Sequence, residues 1–392
     1  LGTFYVGGDT APILPIAGAI QGQWVVPNII QTSGAIYVGY AGTGGQFGVA
    51  RIPSSLAVST TTLATREVDD HNVPAVIQTN SGKMLAVYNR HSLVTSVYNR
   101  LSASSDATDW GSERTATAST TATYLHLHRL TGVDRIWILY RVGNSSVGDW
   151  VIRYSDDEGA TFSTERLLAP NTYLTSVPDP DGVNIRCFAY DHPVNGTDHD
   201  IYYFRVNLST GDVTNSVGTV LGNVVDDTGL PITKGEEHKA VDVTDPVNTR
   251  MYELAKVGVP AMVGSEFTEE LSGTYYRYTY ATSTTPFTRS AIATSGPAFI
   301  TATYYYGGAC FDESSQDIVY VARNLSAALG VGSWELVKMQ LLNGVWERAE
   351  IIRTSRNIIA RPQVKYGRLW WSEISRYVDY TDFTAAVFSR AI

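Results

Sequence analysis

The sequence predicts an all-β chain: a single seven-bladed β-propeller of four-stranded antiparallel blades spanning residues 1–392. Three observations carry that prediction. The first is a phrase repeated about seven times, a short apolar strand, a tight polar turn and a second strand bearing an aromatic residue. Its clearest copy runs Asp69-Asp70-His71-Asn72-Val73-Pro74-Ala75-Val76-Ile77, then Asn80-Ser81-Gly82, then Lys83-Met84-Leu85-Ala86-Val87-Tyr88-Asn89-Arg90-His91. The second is the spacing of the copies, about 50 residues and widening to about 65 around the fifth, which suits propeller blades. The third is composition. Tyr, Thr, Ser, Val and Gly abound and only 17% of residues are charged, as expected where side chains pack on pleated surfaces.

Aligning the copies on their aromatic residue gives the second strand of each blade. These are Gly34–Tyr40, Lys83–Tyr88, Arg135–Tyr140, Asn184–Tyr190, Arg250–Leu254, Asp317–Val321 and Arg368–Trp371. The blades then start near residues 22, 71, 122, 172, 236, 301 and 356. Trp150–Tyr154 reads as a third strand. It runs into Ser155-Asp156-Asp157-Glu158-Gly159-Ala160-Thr161-Phe162, an Asp-box pattern with Phe for Trp; Ser104–Trp110 is a looser copy. Such a box is a turn held by Ser and Asp side chains, with Gly at positive φ. The N-terminal run Thr3–Val6 is expected to add a strand beside Ala385–Phe388, closing the ring and removing its open edges. No helix, linker or second domain is read.

The bulk numbers exclude several classes. A net charge of −9 with no basic cluster argues against nucleic acid. The longest apolar runs fall well short of about 18 residues, so no membrane-spanning helix is expected. Cys187 and Cys310 sit in apolar strand-like runs and read as buried free thiols. Any acidic partner must be held by local Arg and His groups.

Propeller geometry selects candidate site residues. The inner strand of a blade starts on the same face of the disc on which the second strand ends. Inner-strand starts carry Asn28, His71, Asn72, Tyr124, Tyr173, His238, Tyr304, Tyr305 and Arg361. Second-strand ends carry Asn89, Arg90, His91, Arg141, His192, Arg323 and Glu373. His, Arg and Tyr dominate and one carboxylate is present, which fits an anionic ligand and proton transfer. His126 and His128 alternate with leucines on the inner strand of the third blade and read as inter-blade packing rather than a metal pair. No metal-binding spacing is present, so no cofactor is expected for catalysis, while a structural calcium or zinc ion stays open.

The phrase Asp70-His71-Asn72-x-Pro74-Ala75, with His91 twenty residues on, resembles BNR-repeat propellers that include ulvan lyases and related polysaccharide lyases. Tyr305–Ala309 with Val319–Arg323, and Arg356-Asn357 with Arg361-Pro362 and Leu369–Trp371, extend the resemblance from about residue 65 onward. The resemblance implies β-elimination on a uronate-containing polysaccharide. His71 and His91 match the family's histidine pair, Tyr124 its tyrosine, Arg141 its arginine and Tyr173 a second tyrosine near the sugar. Around Tyr124-Leu125-His126-Leu127-His128 the sequence departs from the family pattern.

In such a reaction the C5 proton is removed beside the carboxylate and the 4-O-linked sugar leaves. Arg141 is expected to neutralise the carboxylate through a guanidinium fork, with His91 or Asn72 assisting. Tyr124 and His71 are expected as base and acid, in either order, with nearby cations favouring a Tyr124 phenolate. Asn72, Arg90, Tyr173, His192, His238, Tyr305, Arg323 and Arg361 are expected to bind the polymer. Two rival readings stand beside this one. A sialidase-type hydrolase would use several arginines, but Arg51-Ile52-Pro53 falls after the first strand pair and only Tyr252-Glu253 offers a Tyr–Glu pair. A glycan-binding propeller, a lectin or phage-tail module, would need no proton-transfer groups. Polymer-acting chemistry and low charge point to a secreted, periplasmic or viral-surface location; oligomeric state is not legible.

Overall fold

Each repeat folds as an antiparallel meander because its two innermost strands are apolar on both faces. Met84–Asn89 and Ile136–Val142 are buried at every position, sandwiched between neighbouring blades. Outer strands such as Ser59–Thr65 and Val345–Ser355 are largely exposed and polar. The computed structural model describes residues 14–392 except 23–24, 92, 144–147, 180, 191–199, 234, 236–238, 242–247, 256–259, 270–271, 280–287, 301–304 and 328–331.

Seven antiparallel sheets form the ring, as the sequence predicts. In blade 1, Ala19–Ile20 and Ile29–Gln31 both pair with Ala35–Gly42, followed by Gln46–Pro53 and Ser59–Thr65. Blade 2 is Ala75–Gln78, Met84–Asn89, Ser96–Leu101 and Arg114–Thr117. Blade 3 is Ala122–Arg129, Ile136–Val142, Asp149–Ser155 and Arg166–Ala169. Blade 4 is Tyr173–Pro178, Asn184–Tyr190, Ile201–Asn207 and Asp212–Thr214, widened by Val220–Asn223 and Lys239–Val241. Blade 5 is Asn248–Leu254, Ala261–Glu269, Ser272–Thr279 and Thr288–Thr294. Blade 6 is Gly308–Phe311, Ile318–Asn324, Trp334–Leu342 and Val345–Ser355. Blade 7 is Ile358–Lys365, Arg368–Asp379 and Asp382–Ala391, with Leu14–Ala17 as its outer strand.

That last pairing joins the two ends of the chain. Ile16 faces Val387 and Leu14 faces Ser389 in antiparallel register. Thr3–Val6, the segment expected in this role, lies outside the described residues. The turn at Ser155–Phe162 is held by its own side chains. Gly159 N–H donates to Ser155 Oγ (2.8 Å), Thr161 N–H donates to Asp157 Oδ1 (2.8 Å), and Gly159 adopts φ +79°. Cys187 and Cys310 are buried free thiols.

Blade 5 corrects the sequence alignment by one strand. Arg250–Leu254, expected as a second strand, belongs to the inner strand and packs between the inner strands of blades 4 and 6. Lys239–Val241, near the expected blade start, joins the third strand of blade 4, with Val241 opposite Ile201. The cause is physical. Inner and second strands are both buried on two faces, so an aromatic residue such as Tyr252 does not tell them apart.

Candidate active site

The site lies where inner strands begin and second strands end. Asp69-Asp70-His71-Asn72 makes a tight turn ahead of the blade 2 inner strand. Asn72 N–H donates to Asp69 O (3.2 Å) and His71 N–H to Asp69 Oδ1 (2.8 Å). Asn72 ties this turn to the second-strand end: its Oδ1 accepts from His91 N–H (2.9 Å) and its Nδ2 donates to Glu67 Oε1 (3.0 Å). Asp69 then serves both histidines, with Oδ1 2.8 Å from His71 Nδ1 and Oδ2 3.0 Å from His91 Nδ1. The imidazoles stack with centroids 4.0 Å apart and planes 22° apart.

A second carboxylate lies beneath. Asp70 is fully buried, with Oδ1 2.8 Å from His71 Nδ1. Its Oδ2 accepts from Tyr377 OH (2.8 Å) and pairs with the Arg361 guanidinium. Arg361 and Tyr377 come from blade 7, and Asp70 N–H donates to Tyr380 O (2.9 Å) on the same blade. Ring closure therefore builds half of the cluster.

Tyr124 and Arg361 share a backbone device. Both have positive φ, +55° and +59°. Each sits at a register shift in its inner strand, between Thr123 and Leu125 and between Ala360 and Gln363. A bulge re-aims a side chain, and positive φ in a bulky residue is strain that the surrounding packing must hold. The Tyr124 ring lies 5.7 Å from His71, 6.0 Å from His91 and 5.8 Å from Tyr173. The buried Arg141 guanidinium carbon is 5.6 Å from the Tyr124 ring and 5.1 Å from that of Tyr173. Tyr305 OH stands 3.4 Å from His71 Nε2. Tyr380, 42% exposed, meets both imidazoles edge-on at 5.4 and 5.5 Å.

These neighbours drive the two histidines apart. Burial alone lowers the His71 pKa, but the carboxylates of Asp70 and Asp69 outweigh it and push it up to about 9. For Asp70 burial is opposed by Arg361 and His71, which hold its carboxyl well below the usual range. His91 moves the other way, lowered by burial and by the positive His71 beside it. Burial, then Tyr173, raises the Tyr124 phenol well above its ordinary value, and Arg141 does not reverse this. The expected Tyr124 phenolate is therefore not favoured. Near neutral pH these shifts favour the imidazolium at His71 and the neutral forms of His91 and Tyr124. His91 Nε2 has no hydrogen-bond partner among the described residues.

Among the described residues, Asp69, His71 and His91 bring three ligand atoms within 4.8 Å of one another. A bound metal must lie near the plane of each imidazole ligand. Stacked rings direct their Nδ1 lone pairs side by side rather than to one point, so the group suits proton sharing better than metal binding.

His71, His91, Tyr124, Arg141, Asn72, Tyr173, Tyr305 and Arg361 thus converge. Arg90 is paired with Glu67 (Nε to Oε2, 2.7 Å) and Arg323 with Glu335 (Nε to Oε1, 2.6 Å). His192 and His238 lie outside the described residues. His126 Nδ1 and His128 Nε2 both bond Ser176 Oγ of blade 4, at 2.7 and 2.8 Å, as inter-blade packing requires. Glu253 does not join a Tyr–Glu pair on this face. It bonds Lys365 Nζ (2.5 Å) and Phe311 N–H (3.0 Å), and Tyr252 OH bonds Ser265 Oγ (2.9 Å). Sequence reasoning missed Asp69, Asp70, Tyr377 and Tyr380. The two aspartates were visible beside His71; the two tyrosines reach the site only through ring closure.

Comparison with solved structures returns a polysaccharide lyase described as a PL25 ulvan lyase: TM-score 0.70, 15% identity, covering 95% of this chain and 93% of that one. The same values hold for its complex with -[GlcA(1-4)Rha3S]-. The polysaccharide lyase Uly1 follows at TM-score 0.57 and 11% identity, covering 96% and 91%. At these identities the likeness is one of fold. No curated protein matches the sequence. The sequence model described as BNR repeat-containing family member matches residues 35–295, two-thirds of the 392-residue chain, and the chain belongs to that family.

Proposed function

We propose that the chain is a polysaccharide lyase that cleaves a uronate-containing polymer by β-elimination. The observation that carries this reading is a pair of stacked imidazoles sharing Asp69, one of them also held by the buried Asp70, beside a buried arginine and a phenol. Elimination needs these parts together. The uronate carboxylate must be neutralised before its neighbouring C5 proton becomes acidic, and Arg141 with the His71 imidazolium supplies two positive groups for that. His91 Nε2 is the base, because its Nδ1 is bound to Asp69 and its lowered pKa keeps the ring neutral. It takes the C5 proton, the electron pair forms the C4–C5 double bond, and the C4–O bond breaks. Tyr124 donates its phenolic proton to the departing oxygen and regains one from His91 or solvent. Tyr173 and Tyr380 offer ring surface for the flanking sugars.

The fold likeness to an ulvan lyase seen with a glucuronate-bearing oligosaccharide supports this choice of substrate class. A polymeric substrate of this kind supports a secreted or cell-surface location. No metal is assigned to the reaction. Mass analysis of the digested polymer tests the reading. A lyase yields fragments lighter by one water than hydrolysis products. Fragments of hydrolytic mass would transfer the site to a glycosidase, and binding without cleavage would make the protein a lectin.

A further inference from the structure

The seven inner strands enclose a central channel with a cavity of about 380 Å³, within the range of small-molecule sites. Its walls are mostly apolar, including Val25, Ile77, Leu127 and Val177. It runs from Asn28 and Arg361, near the histidine side, to the far ends of the inner strands. Gln31, Gln78, Arg129 and Lys365 line it and are each the last residue of an inner strand, so they ring the mouth on the opposite face. Arg129 follows Tyr124 by five positions on one strand, about 16 Å of extended chain.

The charges at this mouth are unbalanced. Lys365 is paired with Glu253. Arg129 is half-buried and makes no hydrogen bond or ion pair among the described residues; only the field of Asp134 supports its charge. A half-buried guanidinium above an apolar shaft is complementary to an anionic head carrying an apolar body.

We propose that this end of the channel is a second binding site, for an amphipathic organic carboxylate. The carboxylate sits on Arg129 and the apolar body lies between Ile77, Leu127 and Val177. The assignment does not depend on the reaction proposed for the other face. Titration calorimetry on the full chain tests it, with octanoate and benzoate as probes and octanamide, benzamide and sulfate as controls. The expected result is saturable one-to-one binding of at least one carboxylate, with the matching amide and Arg129→Gln each weaker by about tenfold or more. Sulfate alone binds no better than the amides. Leu127→Trp, which fills the shaft, abolishes binding; Arg129→Gln keeps the test decisive if that variant does not fold. Cleavage of polysaccharide by Arg129→Gln stays at the wild-type rate. Absence of saturable binding by both carboxylates, or binding that survives Arg129→Gln, overturns the proposal.

Discussion

Asp69 and Asp70 assign different protonation states to two imidazoles of the same chemical type. His71 faces both carboxylates and is cationic; His91 shares only Asp69 and sits against that cation. With His91 as the proposed base, His91→Gln should lower kcat by about 10²–10⁴-fold while oligosaccharide binding persists. The proposed elimination needs His91 neutral and His71 charged. Activity should therefore hold across neutral pH and fall as pH rises through about 9, where His71 loses its proton. Asp70→Asn should move that upper limb to lower pH. It should also cost about 3 kcal/mol or more in denaturant unfolding, because it removes the partner of a buried Arg361. The sign for stability follows from a raised histidine pKa. The His71 contribution is fully present below the ordinary histidine range and is lost as pH climbs through about 9. Residue types were legible at this scale, since His71, His91, Tyr124 and Arg141 all stand at strand ends facing one side. Their proton states were not, because those depend on Asp70 being locked to Arg361 and Tyr377 some three hundred residues away in sequence.

Elements contribute through bulges and close approaches. Tyr124 and Arg361 point into the site because their strands carry an extra residue there, and no sequence pattern announced either bulge. Blade 5 shows the same limit: strands buried on both faces share one composition, so strand order within a blade is set by pairing rather than by pattern. Gly39 is the opposite case, where a residue type reports a contact. Its N–H donates to Asn28 O (2.6 Å), and a Cβ there would stand 2.1 Å from Pro74 O of the next blade. Backbone cannot yield as a side chain can. Gly39→Ala should destabilise the fold by about 1–3 kcal/mol in chemical denaturation, with little change in KM.

On the scale of the whole molecule, closure of the ring completes both the fold and the candidate site. Leu14–Ala17 covers the edge of blade 7, and blade 7 supplies Arg361, Tyr377 and Tyr380 to a site centred on blade 2. Deleting residues through Ala17 should expose that edge and lower the melting temperature, with larger species on size-exclusion chromatography. Seven repeats and a closing strand were legible because a repeat period is written many times over. The proposed function is β-elimination on this face, with His91 as base and Arg141 as carboxylate neutraliser. The most direct measurement is ultraviolet absorbance of the C4–C5 double bond during incubation with uronate-containing polysaccharides, for the wild type, His91→Gln and Arg141→Ala. A rise with the wild type that both substitutions suppress by about a hundredfold or more is the predicted result. A rise that persists in His91→Gln, or none with any uronate polymer, would rule out β-elimination with His91 as base.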